Sequence, residues 1–537
     1  MKTAYFNGTV YTADNDNSAA EAFIVEDGRF SFVGRNADLK DCDEKVDLCG
    51  KCVIPGLVDS HCHFISGVYE ASMELIYVDT DTGPEKLGEA LLKRIKEKNI
   101  PEEKTVAAMG IDLSRGDFSA RDIDCAIGDR PVGVYTADGH ALLLNSRAME
   151  ILGINKDTKD PDSGSYFVRD AGGNPTGLVI EIPAMMTCMS LFDHKDVGDC
   201  SEVLIKIAGE YTTLGYTTVF DAMSFNDDSE DVLKSLKSLD EKGQLPIRIV
   251  TSFGYHGEDS IPAEEVIRIM KRERELYSSE NVFPNTLKVV ADGTVEERSA
   301  LLFEPYADSD GNFGSEIVKK EEMKKAAELA AKEGFSVHIH AIGDRAVKNV
   351  LDVLCGMGKT EGTKTIAHNQ LYRQEDIERI LKAGDIFFQT TPHWMKGDEH
   401  TLKGLGEKRS AFQFPVGTMQ RNGVCVSFGS DSFLEEETAN AFTGMFYACA
   451  RGDKELCGEE CLAPESERIG RMESLLAYTI NGAKQLGLDK ETGSITPGKS
   501  ADFLILDRDI IKCPLSELRS AMSEETYFRG KKIKMGK

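Results

Sequence analysis

The sequence predicts an α/β protein: a (β/α)8 TIM barrel with a small β-sandwich built from both ends of the chain. Three observations carry that expectation. Eight short apolar runs alternate with helical patterns through the middle of the chain, glycine-broken strand-like segments occupy both ends, and several apolar runs end on histidine or aspartate. Strands alternating with helices form a parallel sheet with crossover connections. Eight such units close into a barrel that carries its chemistry at the C-terminal ends of its strands.

The elements follow in chain order. Residues 1–55 contain AYFNGTVYT, EAFIVEDGRFSFVG and KCVIPG, which read as short antiparallel strands joined by turns such as Glu26-Asp27-Gly28. Met1 to Tyr11 alternates polar and apolar residues with no hydrophobic block, the pattern of a strand and not of a signal peptide. PGLVDSHCH (55–63) is the first barrel strand. The others are TTVFDAM (217–223), IRIVTSF (247–253), LKVVADG (287–293), FSVHIHA (335–341), KTIAHNQ (364–370), IFFQTTPHW (386–394) and VCVSFGSD (424–431). Between them lie segments such as EEMKKAAELAAKEG (321–334), with apolar residues at helical spacing and a closing glycine. Residues 65–210 break the repeat with strands and helices of their own. They are too long for a structureless loop and are expected to form an inserted subdomain over the mouth, a substrate lid. The barrel with its insertion spans 56–492. Residues 493–537 repeat the texture of the N-terminal end, so 1–55 and 493–537 are expected to pair into one composite β domain.

A chain of 537 residues calls for two or more folding units. No run approaches the roughly 20 apolar residues of a membrane helix. The net charge of −28 argues against a nucleic-acid surface, which needs basic patches. Thirteen scattered cysteines, an odd number, fit reduced thiols in a cytoplasmic protein better than a disulfide framework. The expected partner is a small-molecule substrate, and a homodimer is the commonest assembly for such a chain.

His61 and His63 flank Cys62 at the end of the first strand. Residues two apart in a strand share a face, so both imidazoles point one way and can ligate one divalent ion. His340, His368 and Asp431 fall at the ends of later strands, where barrel enzymes place their catalytic groups. With ten histidines in the chain, four at strand ends point to a metal site. His338 shares a face with His340 but lies about 6.6 Å deeper, so it is expected to line the barrel or brace a ligand, as is Asp59 below His61.

PGLVDSHCH is similar to the first-strand metal motif of the amidohydrolases, and FGSD to their last-strand aspartate motif. KVVADGTVEERSALL, VHIHAIGDRAV, IAHNQ, DGHALLLNS and GSITPGKSADFLILD resemble the branch that holds YtcJ-like hydrolases and N-substituted formamide deformylases. The likeness runs through nearly the whole chain. It implies two ions, most simply zinc, bridged by a carboxylated Lys288. His61 and His63 would hold the first ion with Lys288, and His340 and His368 the second, again with Lys288. Asp431 would touch the first ion and the nucleophile. Carboxylation needs a neutral amine, which burial beside cations favours; the alternative is a plain lysine bonded to Asp292. By the same resemblance Arg298 contacts substrate, or else pairs with Glu296 or Glu297, while Asp138 and His140 line the pocket or cap a turn. Val295-Glu296-Glu297 replaces the small residues of the family pattern, which leaves the substrate class open. Asp344 is read as capping or bracing the helix after strand five.

A divalent ion lowers the pKa of its water from 15.7 towards about 7, and Asp431 can carry the proton to a leaving nitrogen. The leading expectation is therefore hydrolysis of an amide, formamide or cyclic amide C–N bond. A deaminase commonly carries a glutamate shortly after the fifth-strand histidine, and HAIGDRAV has none. A non-catalytic binding or assembly relative usually loses a ligand, and this chain keeps all of them.

Overall fold

A computed structural model describes residues 2–14, 18–68, 75–137, 139–161, 165–192, 198–224, 229–258, 260–432, 439–452, 458 and 461–533. At its centre eight parallel strands stand in chain order: Leu57–Cys62, Tyr216–Ser224, Arg248–Tyr255, Val282–Val290, Ser336–Ala341, Lys364–His368, Ile386–Thr390 and Val426–Phe428. These are the eight runs marked by the sequence. Hydrogen bonds close the seam between last and first. Asp431 N–H donates to His61 O at 2.7 Å, His63 N–H to Ser432 O at 3.0 Å, and Ser60 Oγ to Phe428 O at 2.7 Å. Leu57–Cys62 and Arg248–Tyr255 are buried along their whole length, as strands covered on both faces must be.

The connecting helices follow from their spacing. In Lys320–Lys332, Met323, Ala326, Ala327 and Ala330 form the buried face, one stripe at a 3.6-residue period. Glu321 and Glu322 sit in the first turn and Lys332 in the last, complementing the helix dipole. Gly334, at φ 76°, ends the helix in a conformation that suits glycine.

The two ends of the chain meet in a β-sandwich. One sheet holds Arg29–Gly34, Ala22–Glu26, Lys2–Phe6 and Glu44–Asp47. The other orders Lys531–Lys532, Ser523–Phe528, Phe503–Leu506, Cys52–Pro55, Thr9–Tyr11 and Ala19–Ala20. Phe503 pairs with Pro55 and Leu504 with Ile54. Between the sheets Phe23 packs at 4.8 Å on Tyr5 and 4.9 Å on Phe503, and Phe503 stacks on Tyr527 at 4.2 Å. Asp27 and Gly28 both have positive φ, the two-residue turn that matches strand twist. A wholly buried ion pair, Arg248 to Asp502 at 2.8 Å, ties the sandwich to the third barrel strand.

Between the first and second barrel strands a six-stranded sheet forms, ordered Tyr166–Arg169, Pro175–Ile180, Ala141–Leu144, Val132–Thr136, Val106–Ile111 and Ile76–Tyr77. It has its own buried core, including Leu87, Leu91, Val106, Val134 and Leu143. The helix Ser201–Thr213 packs elsewhere: Leu204, Ile207, Ala208 and Tyr211 join the barrel core. Among the described residues each cysteine is a free thiol, and no helix is long and apolar enough to cross a membrane.

Candidate metal centre

The strand register gathers the strand-end residues at one mouth. Lys288 lies beside His338, Val290 beside His340, and Ala341 beside His368. The imidazoles of His61 and His63 converge as their spacing requires, their Nε2 atoms 3.3 and 3.0 Å from the same Asp431 oxygen, Oδ1. Cys62 turns the other way and bonds Phe220 O. The other Asp431 oxygen lies 3.8 Å from His368 Nδ1, and the rings of His368 and His340 are 4.4 Å apart. Lys288 Nζ reaches within 3.4 Å of His61 Nε2.

Close approach and strain fix this geometry. A Cβ on Gly429 would lie 2.5 Å from His61 N, so the glycine of FGSD lets the last strand press against the first. Asp431, His368 and Asn369 all hold positive φ, at 54°, 70° and 53°. Such strain persists where the surroundings over-determine it, and it concentrates at functional sites.

Every partner of His61 is fixed. His338 Nε2 holds its Nδ1 at 2.9 Å, leaving Nε2 towards Asp431 and Lys288. His338 thus braces His61. Asp59 Oδ1 accepts from His61 N–H and Ser430 N–H, and its Oδ2 accepts from Ser430 Oγ at 2.6 Å. Asp292 accepts from the N–H groups of Leu301, Ile342 and Gly343; it anchors loops and leaves Lys288 to the histidine cluster. Asp344 braces the Phe303 N–H at 3.0 Å, while the helix N-cap is Gly343.

Burial shapes the charges. It pushes His61 down to about 3, with Lys288 adding to the shift, and takes His340 and His368 well below the ordinary imidazole range. The imidazoles are therefore neutral, with lone pairs for a cation. Burial raises the Asp431 carboxyl, but His61 and His63 outweigh it and hold it ionised. His368 Nδ1 is buried with no hydrogen-bond partner among the described residues. Neutral imidazoles, an ionised carboxylate and an orphaned ring nitrogen make a donor set that fits a divalent cation. Among the described residues, His61, His63 and Asp431 bring their ligand atoms within 4.8 Å of one another.

The substrate-side expectations fare differently. All five Arg298 donors are committed: to Asp308, and to the carbonyls of Val295, Glu296 and His400. Its ion pair runs to Asp308 at 2.6 Å, in place of the Glu296 or Glu297 side chain, because the intervening loop folds back. A substrate contact would have to break that clamp. His140 does reach the mouth, its ring 5.7 Å from His340 and its Nδ1 2.9 Å from Glu181 Oε2. Asp138 lies outside the described residues.

Three residues at the mouth escaped the sequence reading. Asp221 ends the second strand in TTVFDAM, where the strand-end rule applies equally; one oxygen accepts from Ile65 N–H at 2.7 Å, the other is buried without a partner among the described residues. Trp394, after the seventh strand, stacks on His368 at 5.3 Å. Glu181 comes from the insertion, and no barrel periodicity could mark it.

A parallel barrel with this cluster at its mouth defines a hydrolase of the amidohydrolase kind. Residues 44–533 match the amidohydrolase family, and the chain belongs to it. It is 31% identical to the exoenzymes regulatory protein AepA of Pectobacterium carotovorum subsp. carotovorum, over 79% of this chain and 93% of that one. It is 27% identical to the N-substituted formamide deformylase of Arthrobacter pascens, over 98% of this chain and 96% of that one, in keeping with the branch its motifs resemble. An uncharacterized metal-dependent hydrolase from Pyrococcus horikoshii OT3 shares the fold, with a TM-score of 0.73 at 21% identity over 96% of this chain and 99% of that one.

Proposed function

We propose that the protein hydrolyses the C–N bond of an amide, formamide or cyclic amide at a divalent-metal site. The observation that carries this reading is the Asp431 carboxylate, one oxygen shared by His61 and His63 and the other facing His368. The resemblance to a formamide deformylase supports the bond class. His61, His63 and Asp431 would hold one ion and His340 and His368 would hold a second, with zinc favoured by imidazole and carboxylate donors. When bound, the ions supply an acidic water and a Lewis acid for the carbonyl. Asp431 accepts the proton of the attacking water and passes it to the leaving nitrogen. His338 and Asp59 keep His61 and the Asp431 loop in register while that proton moves.

As its carbamate, Lys288 would add an anionic ligand to the site. Burial pushes its amine down to about 8 against the pull of Asp431 and Asp221. At pH 7 about one such amine in ten is neutral, against fewer than about one in a thousand for an ordinary lysine. That neutral fraction has the lone pair that can attack carbon dioxide, releasing a proton as the carbamate forms.

Plasma mass spectrometry on protein prepared with bicarbonate tests the site. The expected result is two equivalents of metal per chain, falling in Lys288→Ala. The loaded protein should hydrolyse members of a panel of formamides, N-acyl amines and cyclic amides, and Asp431→Asn should lose turnover with unchanged circular dichroism. Full activity in Asp431→Asn, or no hydrolysis across the panel, would refute the reading.

A further inference from the structure

The loop after the fourth strand reaches the helix after the seventh, Glu399–Ser410. In the barrel those strands are separated by the fifth and sixth, Ser336–Ala341 and Lys364–His368. A bond between loop and helix therefore spans the ends that carry His340 and His368. Several such bonds form. Ala307 N–H donates to Gly404 O at 2.8 Å, and Arg409 donates to Glu304 O at 2.9 Å and Pro305 O at 2.8 Å. A small core separate from that of the barrel fills the space between: Val295, Leu302 and Tyr306 of the loop meet Ile342 from beyond the fifth strand, Leu371 from beyond the sixth and Leu405 of the helix. Arg298 ties three parts of this layer together. Its Nε and Nη2 bind Asp308 at 3.0 and 2.6 Å, Nη2 also donates to His400 O at 3.1 Å, and Nη1 donates to Val295 O at 2.6 Å. Val295 lies two residues past Gly293, whose carbonyl stands 3.4 Å from His340 Nε2. The helix makes room for the guanidinium, since a Cβ on Gly404 would lie 2.6 Å from Arg298 Cζ. Arg298 itself holds φ 56°, uncommon for a residue with a side chain and kept where the surroundings over-determine it.

We propose that Arg298 is a positioning residue: with Asp308 it straps the fourth-strand loop to the seventh-strand helix as a fixed wall over the His340 and His368 side of the mouth, and that wall limits the length of the group a substrate amide carries there. The limit on length rests on the amide-hydrolase reading; the strap does not. The planar guanidinium fork grips a carboxylate and carbonyls at once, which a point charge on a flexible stem does not reproduce. A loop fixed at both limbs does not yield to a longer chain, so it sorts substrates by length as a packed pocket sorts methylenes.

The test measures kcat/KM on the metal-loaded enzyme over two series: N-butyl amides of formic, acetic and hexanoic acid, and formamides bearing ethyl, butyl and octyl groups. Hydrogen exchange over residues 295–309, read by mass spectrometry, runs alongside. The wild type should favour the short members of at least one series. Arg298→Lys, which keeps the charge and loses the fork, and Asp308→Ala should each cut that preference about tenfold, the scale on which a pocket sorts methylenes, chiefly by lowering KM for the longest member. The double variant should do no more than either alone, as partners in one contact do. Exchange over 295–309 should speed up in both single variants while metal content holds. A wild type indifferent to length, or a preference unchanged in both variants, overturns the proposal. So does a preference lost in Arg298→Lys and kept in Asp308→Ala, which would make Arg298 a substrate ligand. If no amide is turned over, it is the amide reading that fails, and exchange unchanged in both variants then overturns the strap by itself.

Discussion

Replacing Gly429 by alanine puts a methyl group into the barrel seam. Its Cβ would lie 2.5 Å from His61 N and 2.7 Å from both His61 O and His61 Cβ. Contacts between such atoms settle at about 3.5 Å or more, so the strands must part by roughly 1 Å. Two of the three obstructing atoms are backbone, and no rotamer change can relieve them. The separation stretches the Asp431 N–H to His61 O bond, now 2.7 Å, and with it the grip of both residues on the cluster. Overpacking costs about 1–3 kcal/mol and a lost hydrogen bond about 0.5–1.5 kcal/mol, so a loss of roughly 1.5–4.5 kcal/mol is expected. Differential scanning calorimetry should show a midpoint lower by about 1–4 °C, and plasma mass spectrometry should show reduced metal retention. Gly209→Ala is the control: it lies in the helix Ser201–Thr213, where an added Cβ meets nothing within 4 Å, and should be neutral or slightly stabilising. If Gly429→Ala keeps both its midpoint and its metal, the close-approach argument is wrong.

Two further outcomes follow from local geometry. Trp394 is the only tryptophan in the chain and lies within 19° of parallel to the His368 ring. Its emission should therefore change saturably as zinc is titrated into chelator-stripped protein; a flat trace during metal uptake would remove His368 from the ligand set. Burial raises the Asp352 carboxyl, but Lys320 at 2.5 Å, Lys348 at 2.6 Å and Arg379 at 2.7 Å outweigh it and bring it down to about 2. A depressed carboxylate contributes stability that is complete above its unfolded pKa, near 3.9, and is lost as pH falls through the folded value. Asp352→Asn should thus lower the unfolding midpoint at pH 7, by the equivalent of about 1 kcal/mol at a partly exposed site. The gap should narrow from about pH 4 downward, and a gap that widens there would reverse the assignment.

The barrel and its histidines were legible because both obey short-range rules. A two-residue period put His61 and His63 on one face, and the strand-end position singled out His340, His368 and Asp431. The deeper place of His338 was legible for the same reason, and it braces His61. Contacts made by tertiary folding were not legible. Arg298 finds Asp308 because a loop doubles back, and Glu181 reaches Gly293 because a separate sheet docks on the mouth. Neither event leaves a period in the sequence. Asp221 was readable and was passed over, since a lone aspartate in TTVFDAM draws less notice than a histidine pair.

The shared β-sandwich has a consequence for synthesis. Cys52–Pro55 leaves the ribosome long before its partner Phe503–Leu506. Until then the nascent chain carries an unpaired apolar edge immediately before the strand that bears His61. Edges of this kind recruit other chains, and contacts between distant segments form slowly. The segment Phe503–Leu506 therefore acts as a clasp: a ribosome that stops before residue 503 releases a barrel whose first strand, with His61 and His63, is still tethered to an open, adhesive sheet. Quality control that removes such products would be selecting, in effect, for chains that carry the clasp.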